Sequence, residues 1–218
     1  MERHFILDKF NTWYDWRLIL TAKNITPPEP KTNYVNIDGM SGSLDLSESL
    51  TGEVCYQDRT ISASFWTDEG NRKDRERLLS EIRIALHGKK IKIIEPDDPD
   101  HYFYGRVVIK SVKNTLAYAE FTIEATCDPW RYDINETVRT IVVDNADPTN
   151  VVINYNGVKT VCPEIAINGS VFVTIDDATS ELTDGSYKIT NLKLRHGATV
   201  LGVSGSGSMS LTYREATL

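Results

Sequence analysis

Residues 121–132 read FTIEATCDPWRY, and the first seven positions alternate apolar and polar side chains. The apolar face holds Phe121, Ile123, Ala125 and Cys127. Such alternation is the pattern of an antiparallel strand with one buried face. The strand is expected to stop at Asp128-Pro129, because proline has no N–H to donate to a sheet. The stretch therefore predicts that Cys127 is a buried core residue and that a domain ends shortly after it.

The same alternation recurs around Phe65, Val173 and Leu211, so the chain is predicted to be mainly β. One stretch departs from it: GNRKDRERLLSEIRIALHGKK, residues 70–90. Leu78, Leu79, Ile82 and Leu86 recur there at helical spacing. Asn71 is a suitable N-cap and Gly88 a suitable end, so one amphipathic helix is predicted. We expect its apolar side to cover a sheet that includes Phe65, Ile109 and Phe121, and its charge run NRKDRERL to face solvent.

Two hairpins are predicted in the same half of the chain. KIKIIEPDDPDHYFYGRVVIKSV, residues 90–112, indicates two strands joined by a long acidic, proline-rich loop. In NYVNIDGMSGSLDLSES, residues 33–49, Gly39 and Gly42 separate two short apolar runs, which indicates an extended hairpin. This hairpin either packs within its own domain or reaches a neighbouring subunit, and the residues leave both open.

Beyond Tyr132 the composition changes, since all four tryptophans precede this residue. Short strands there are separated by turn signals, namely NYNG, INGS, TDGS and SGSGS. This spacing is typical of a β-sandwich or jelly roll. We predict two domains, residues 1–133 and 134–218. GVSGSGSMS, residues 202–210, lacks the Lys-Ser/Thr of a phosphate loop and is interpreted as a flexible hairpin connection.

Charge and cysteine usage exclude several classes of protein. The 24 lysines and arginines against 31 acidic residues give a net charge of −7 and a pI near 5.2, which disfavours binding to nucleic acid. Three separated cysteines, Cys55, Cys127 and Cys162, favour reduced thiols and synthesis in cytoplasm. The sequence shows no signal peptide and no apolar run long enough for membrane insertion.

No constellation for catalysis, cofactor binding or metal binding is recognisable. The four histidines are scattered without zinc-ligand spacing. EPDDPDH, residues 95–101, collects carboxylates but lacks the glycine and terminal glutamate of a calcium loop, so an acidic hairpin turn is the preferred interpretation. We therefore predict a protein that is not an enzyme.

The order of these stretches resembles the distal tail protein (Dit) family of long-tailed bacteriophages with non-contractile tails. The first part is carried by VNIDGMSGSLDLSES, YQDRTISASF, the helix, YFYGRVVIKSV and FTIEATCDPWRY. The second is carried by NYNGVKTVCPEIAINGS and LKLRHGATVLGVSGSGSMSLTYRE. The resemblance implies an N-terminal ring-forming domain, a β-sandwich or barrel with one helix and an extended hairpin. It implies a C-terminal galectin-like sandwich, here short at about 85 residues.

What the resemblance implies for function is assembly. Members of this family form hexameric rings at the virion tail tip, joining the tail tube protein to baseplate and receptor-binding proteins, while DNA passes through the ring. Residues proposed here for contacts between subunits are Ile37, Met40, Leu44, Leu46, Tyr56 and Arg59. The alternative is a carbohydrate-binding module for host surface glycans, with Tyr155 as a possible platform. A cell-wall hydrolase is a third, less favoured class, because paired catalytic carboxylates are not recognisable.

Overall fold

The structure is a computed structural model that describes residues 3–175 and 178–218. Contacts divide the chain into an N-terminal unit, Met1–Arg131 with Leu218, and a C-terminal unit, Tyr132–Thr217. The N-terminal unit holds β1 (Ile6–Leu7), β2 (Phe10–Asn11), β3 (Ile19–Ile25), β4 (Tyr34–Asn36), β5 (Ser43–Asp45), β6 (Arg59–Thr67), α1 (Arg72–Leu86), β7 (Lys90–Glu95), β8 (Asp98–Asn114) and β9 (Ala119–Cys127). The following strands are β10 (Arg131–Asp133), β11 (Thr137–Tyr155), β12 (Glu164–Ile175), β13 (Ala178–Leu182), β14 (Gly185–Tyr187), β15 (Gly197–Tyr213) and β16 (Ala216–Thr217). The predicted mainly β fold with a helix is confirmed.

Seven strands of the N-terminal unit form an antiparallel sheet in the order β2-β1-β7-β8-β9-β6-β3. Strand β9 lies between β6 and β8, and its pairing with β6 runs without a break from Arg59–Cys127 to Thr67–Ala119. Phe121, Ile123, Ala125 and Cys127 are buried, as the alternation predicted. Residues 121–127 therefore belong to a central strand of this unit, β9.

Helix α1 covers the apolar face of this sheet. Its N-cap is Asn71, whose side chain accepts hydrogen bonds from the backbone N–H groups of Lys73 and Asp74 at 2.9 and 3.1 Å. Its last residue is Leu86, and Gly88 follows with a φ of 78°, which favours glycine. The core combines Leu79, Ile82 and Leu86 of the helix with Phe65 and Phe121 of the sheet, while Leu78 and Ile109 pack at its margin. The predicted helix and its packing are confirmed.

One member of the charge run does not face solvent. Arg75 is buried, and its guanidinium donates hydrogen bonds to the carbonyl oxygens of Gly70, Thr115 and Leu116 at 2.6, 3.1 and 2.9 Å. The charge is thereby satisfied by backbone dipoles. For this residue the predicted solvent-facing position is wrong, because it ties the start of α1 to the β8–β9 connection.

The β7–β8 hairpin is present, but its connection is much shorter than predicted. Only Pro96 and Asp97 lie between the two strands, and Glu95 pairs with Asp98. The prolines Pro96 and Pro99 suggested a long loop. Instead Pro99 lies inside β8, after the turn, in a part of the strand where proline is tolerated.

The C-terminal unit is built on one antiparallel sheet in the order β11-β15-β12-β13, with β14 pairing along the first part of β12. Residues from both halves of these long strands share a single core. They are Val143, Ile153, Ile165, Ile167, Val171, Val173, Leu201, Val203, Met209 and Leu211. A single sheet whose two halves bury side chains against each other must fold back on itself, which makes a sandwich.

Two motifs predicted to be turns contain glycines that lie inside strands of this sheet. INGS lies inside β12 and SGSGS lies inside β15, so neither is a turn or a hairpin connection. Gly169, Gly205 and Gly207 have φ values of 103°, 119° and 146°. A Cβ on any of them would lie less than 3.0 Å from the backbone of the facing strand. Glycine is therefore required here by the close approach of two strands, rather than by a turn.

Candidate assembly surface

The connection between β3 and β6 leaves the body of the N-terminal unit as a long arm, which we define as residues 32–58. Backbone hydrogen bonds hold its base: Thr26 N–H to Thr60 O at 3.0 Å, Gln57 N–H to Glu29 O at 2.8 Å, and Lys31 N–H to Cys55 O at 2.7 Å. Strand β3 lies at one edge of the seven-stranded sheet, so the arm originates at that edge.

Inside the arm, β4 and β5 pair as a hairpin with Val35 opposite Leu44, which confirms the predicted hairpin. Gly39 and Gly42 have φ values of 83° and 82° in its connection, where a turn needs the left-handed region. After β5, the Asp45 carboxylate accepts hydrogen bonds from the Ser47 hydroxyl and backbone N–H. These bonds lower the pKa of Asp45 from its ordinary value.

The arm exposes a set of apolar side chains to solvent. None of residues 32–58 is buried, and Leu50 is 98% exposed. The exposed apolar side chains are Tyr34, Val35, Ile37, Met40, Leu44, Leu50 and Val54. Exposed apolar side chains of this number are a common feature of protein–protein interfaces.

The charged residues of the arm are all acidic. Between Lys31 and Arg59 there is no lysine, arginine or histidine, and the acidic residues are Asp38, Asp45, Glu48, Glu53 and Asp58. This absence of cations was visible in the sequence but formed no part of the prediction, which depended on glycines and apolar residues. The arm is thus both apolar and acidic, which restricts the surfaces that it can bind.

The residues predicted to lie between subunits are not equivalent in the structure. Ile37, Met40 and Leu44 are exposed on the hairpin, and Leu46 is half-buried. Tyr56 and Arg59 belong to the base of the arm instead.

At that base, Tyr56 packs edge-to-face on Trp130, with ring centroids 5.6 Å apart. Arg59 is 5% exposed, and its guanidinium lies 5.1 Å from the centre of the Phe103 ring. Burial lowers the pKa of Arg59. The positions of both side chains are therefore fixed by contacts within the N-terminal unit.

The acidic β7–β8 turn forms ion pairs. Lys23 Nζ contacts both Glu95 and Asp97, the latter at 2.6 Å, and Arg3 lies 3.3 Å from Asp97. Asp98 pairs with Arg131 at 2.9 Å and with His101 Nδ1 at 2.6 Å. Carboxylates already paired with cations are poor ligands for calcium, which supports the acidic-turn interpretation.

Other candidate chemical groups lie apart. Within residues 3–175 and 178–218, no group of three His, Cys, Asp or Glu side chains is arranged to hold a metal ion. Cys127 is fully buried, and burial raises the pKa of its thiol to about 12, so it is a core residue rather than a nucleophile. Tyr155 is 1% exposed and donates a hydrogen bond to Lys159 O at 2.7 Å, so it is not available as a sugar platform. No helix in the described part of the chain has the length and apolar character needed to cross a bilayer.

The chain thus has two β units. The first is an antiparallel sheet covered by one helix and carrying an exposed arm, and the second is a sheet folded on itself. Comparison with solved structures identifies a protein with this architecture. The chain is similar to the crystal structure of the SPP1 Dit protein (gp 19.1), described as a paradigm of the hub adsorption apparatus in phages that infect Gram-positive bacteria. The TM-score is 0.72 at 14% sequence identity, covering 98% of this chain and 99% of that one. No family model and no curated protein matches the sequence. The chain therefore has a Dit-like fold.

Proposed function

We propose that this chain is a structural hub of a phage tail tip, forming a hexameric ring that joins the tail tube to the baseplate and receptor-binding proteins. The observation that supports it is the likeness to the SPP1 Dit protein over nearly the whole of both chains. A likeness confined to one unit would fit many β proteins, whereas here the helix-covered sheet and the folded sheet occur together and in the same order.

The arm supports assembly independently of that likeness. A segment with seven exposed apolar side chains and a base fixed by hydrogen bonds is suited to bind another molecule. Repeated copies of one chain that bind head to tail close into a ring when the rotation between them permits it. The ring domain is proposed to be residues 1–133, and residues 134–218 are proposed to form the sandwich.

The test is the mass of the full chain in solution. Size-exclusion chromatography with light scattering is expected to show six copies of the 24.6 kDa chain, and negative-stain electron microscopy to show rings with a central channel. A chain that stays monomeric at every concentration contradicts the proposal. A fragment ending at Asp133 is expected to keep self-association, whereas residues 134–218 are expected not to associate; the reverse result would place the assembly surface in the wrong domain.

The proposed ring also leads to an expectation about nucleic acid. With a net charge of −7, a channel through which DNA passes is expected to be acidic and not to retain it. Duplex DNA is therefore expected not to bind at moderate salt in a fluorescence anisotropy titration. Binding that weakens steeply with salt would contradict this expectation.

Sugar binding by the sandwich is the weaker candidate. Its aromatic residues are mostly occupied, since Tyr155 and Tyr213 are buried with ring centroids 5.7 Å apart and Tyr187 packs against the core. Phe172 is 38% exposed and is the remaining aromatic side chain for a platform among the described residues of 134–218. A glycan array with strong binding that Phe172→Ala abolishes would reverse this order.

A further inference from the structure

A groove lies at the opposite edge of the sheet from the arm. It is enclosed by helix α1 and by the turn between β1 and β2, and β2 is the outermost strand on that side. Its volume is about 640 Å³. Because the arm originates beside β3, at the other edge, each copy carries an arm at one edge and a groove at the other.

The groove has an apolar floor. Phe10, Ala85 and Ile91 line it, and Phe10 is held by stacking on Trp16 with ring centroids 4.9 Å apart. Ile84 also lines it and is 74% exposed, although it lies on a helix whose other apolar residues are mostly buried. An exposed isoleucine in a concave, apolar site is a favourable contact for an apolar side chain of a partner.

The rim of the groove carries cations that match the arm. Lys9, Arg77 and Lys89 line it together with the carboxylates of Asp8 and Glu81. Glu81 accepts a hydrogen bond from Trp16 Nε1 at 3.4 Å, and Lys89 Nζ donates one to the Ile84 carbonyl oxygen at 2.9 Å, a neutral partner that leaves its charge uncompensated. The arm brings five acidic residues and no cation, so its contacts with these three cations are attractive.

The other large cleft of this unit is a poorer match. It is lined by Glu95 and Asp97, whose carboxylates already pair with Lys23 and, for Asp97, with Arg3. An acidic arm placed there would meet these two carboxylates, and the cations beside them already form ion pairs with carboxylates. Charge therefore favours the groove beside α1.

We propose that this groove is the binding site for the arm of a second copy of the chain, with arm apolar side chains over Phe10 and Ile84 and arm carboxylates at Lys9, Arg77 and Lys89. The inference rests on the proposed ring. A contact between one edge and the opposite edge is heterologous, which is the geometry that closes into a ring. The nine residues from Lys31 to Gly39 extend about 30 Å, enough to reach across a neighbour.

The first test changes the floor of the groove. Ile84→Glu is expected to weaken self-association of the full chain at least about tenfold, measured by sedimentation velocity over a range of concentrations. Its melting temperature is expected to stay unchanged, because the side chain is 74% exposed. The matched control is Leu116→Glu, which is 86% exposed in the same unit and outside the groove, and which is expected to leave association unchanged. Equal association in the two variants would overturn the proposal.

The second test identifies what occupies the groove. A photo-crosslinking phenylalanine analogue replaces Ser80, which lines the groove and is exposed, and nitrogen-15-labelled chains are mixed with unlabelled chains before irradiation. Mass spectrometry is expected to find crosslinks to peptides within residues 32–58, with mixed isotope pairs showing that they join two copies. An oligomer whose crosslinks from position 80 fall elsewhere, or only within one chain, overturns the docking site and leaves the ring. A monomer overturns both.

Discussion

Two glycine- and serine-rich stretches of this chain look alike and fold differently. DGMSGS, residues 38–43, spans the connection of an exposed hairpin, whereas GSGSMS, residues 205–210, lies inside strand β15. In the arm a Cβ added at Gly39 or Gly42 meets nothing within 4 Å. In β15 it meets the backbone of β12 at Gly205 and Gly207. Glycine permits a turn in one place and the close approach of two paired strands in the other.

The difference was readable from the residues on either side. Val203 and Met209 have the same parity as Gly205 and Gly207, and both are buried, so the alternation of the strand continues through the glycines. No buried residue flanks the arm glycines. A glycine run in phase with apolar residues on both sides therefore indicates a bent strand rather than a loop.

The largest expected effect comes from adding a side chain at Gly207, where β15 lies close to β12. Gly207→Ala is expected to lower the free energy of unfolding by about 4 kcal/mol, because a positive φ and a Cβ against the Asn168 carbonyl both oppose it. Gly42→Ala, at a φ of 82° in open space, is expected to cost about 1 kcal/mol. Urea unfolding followed by circular dichroism gives both values. Equal losses of unfolding free energy in the two variants would mean that β12 and β15 are not closely packed at Gly207.

The next largest difference is expected between the two methionines that lie within these glycine-containing stretches. Met209 is fully buried and Met40 is 47% exposed. Met209→Ala is expected to cost about 3 kcal/mol through lost contacts and a cavity, and Met40→Ala less than about 0.5 kcal/mol. Amide hydrogen exchange should localise the first loss to β12 and β15. A loss of the same size at Met40 would show that the arm is packed inside a single copy.

The cysteines extend the contrast between arm and core. Burial raises the pKa of Cys127 to about 12 from 9.0, whereas Cys55, near the base of the arm, is half-buried. We expect a thiol reagent at pH 8 to modify Cys55 at least about a hundredfold faster, because the reactive thiolate of Cys127 is suppressed. Peptide mass spectrometry reads each site.

The same cysteine makes a pH prediction. The native state favours the neutral Cys127 thiol, so this contribution to stability is present below pH 9 and is lost as the pH rises towards 12. Cys127→Ser, which buries a hydroxyl among apolar groups, is expected to cost about 1 kcal/mol and to remove that pH dependence. Rapid labelling of Cys127 in the native protein would falsify the buried-strand assignment.

The smallest expected effect is a titration within the arm. Because the hydrogen bonds from Ser47 hold the pKa of Asp45 below its ordinary 3.8, they favour the local turn at pH values above 3.8, and this preference disappears as the pH falls through the lowered pKa. NMR titration of the Asp45 carboxyl should give this lowered pKa. Ser47→Ala should return it towards 3.8, whereas Ser41→Ala, elsewhere in the arm, should not.

The sequence predicted elements whose evidence is local and periodic. The β9 alternation, the capped helix and the arm hairpin each depend on neighbours within about twenty residues, and the structure confirms them. The long-range features were beyond it. Arg75 finds its acceptors about forty residues away, and the groove joins residues near position 9 to residues near position 84. Pairings of that kind depend on the tertiary fold rather than on spacing.

The absence of cations from the arm also determines which enzymes can cut it. Trypsin cleaves after lysine or arginine, and the most exposed segment of this unit offers it no site between Lys31 and the buried Arg59. Proteases that cleave after glutamate or large apolar residues find Glu48 and Leu50 exposed. Trypsin is therefore expected to leave residues 32–58 uncut internally, whereas a glutamyl protease is expected to cut within them.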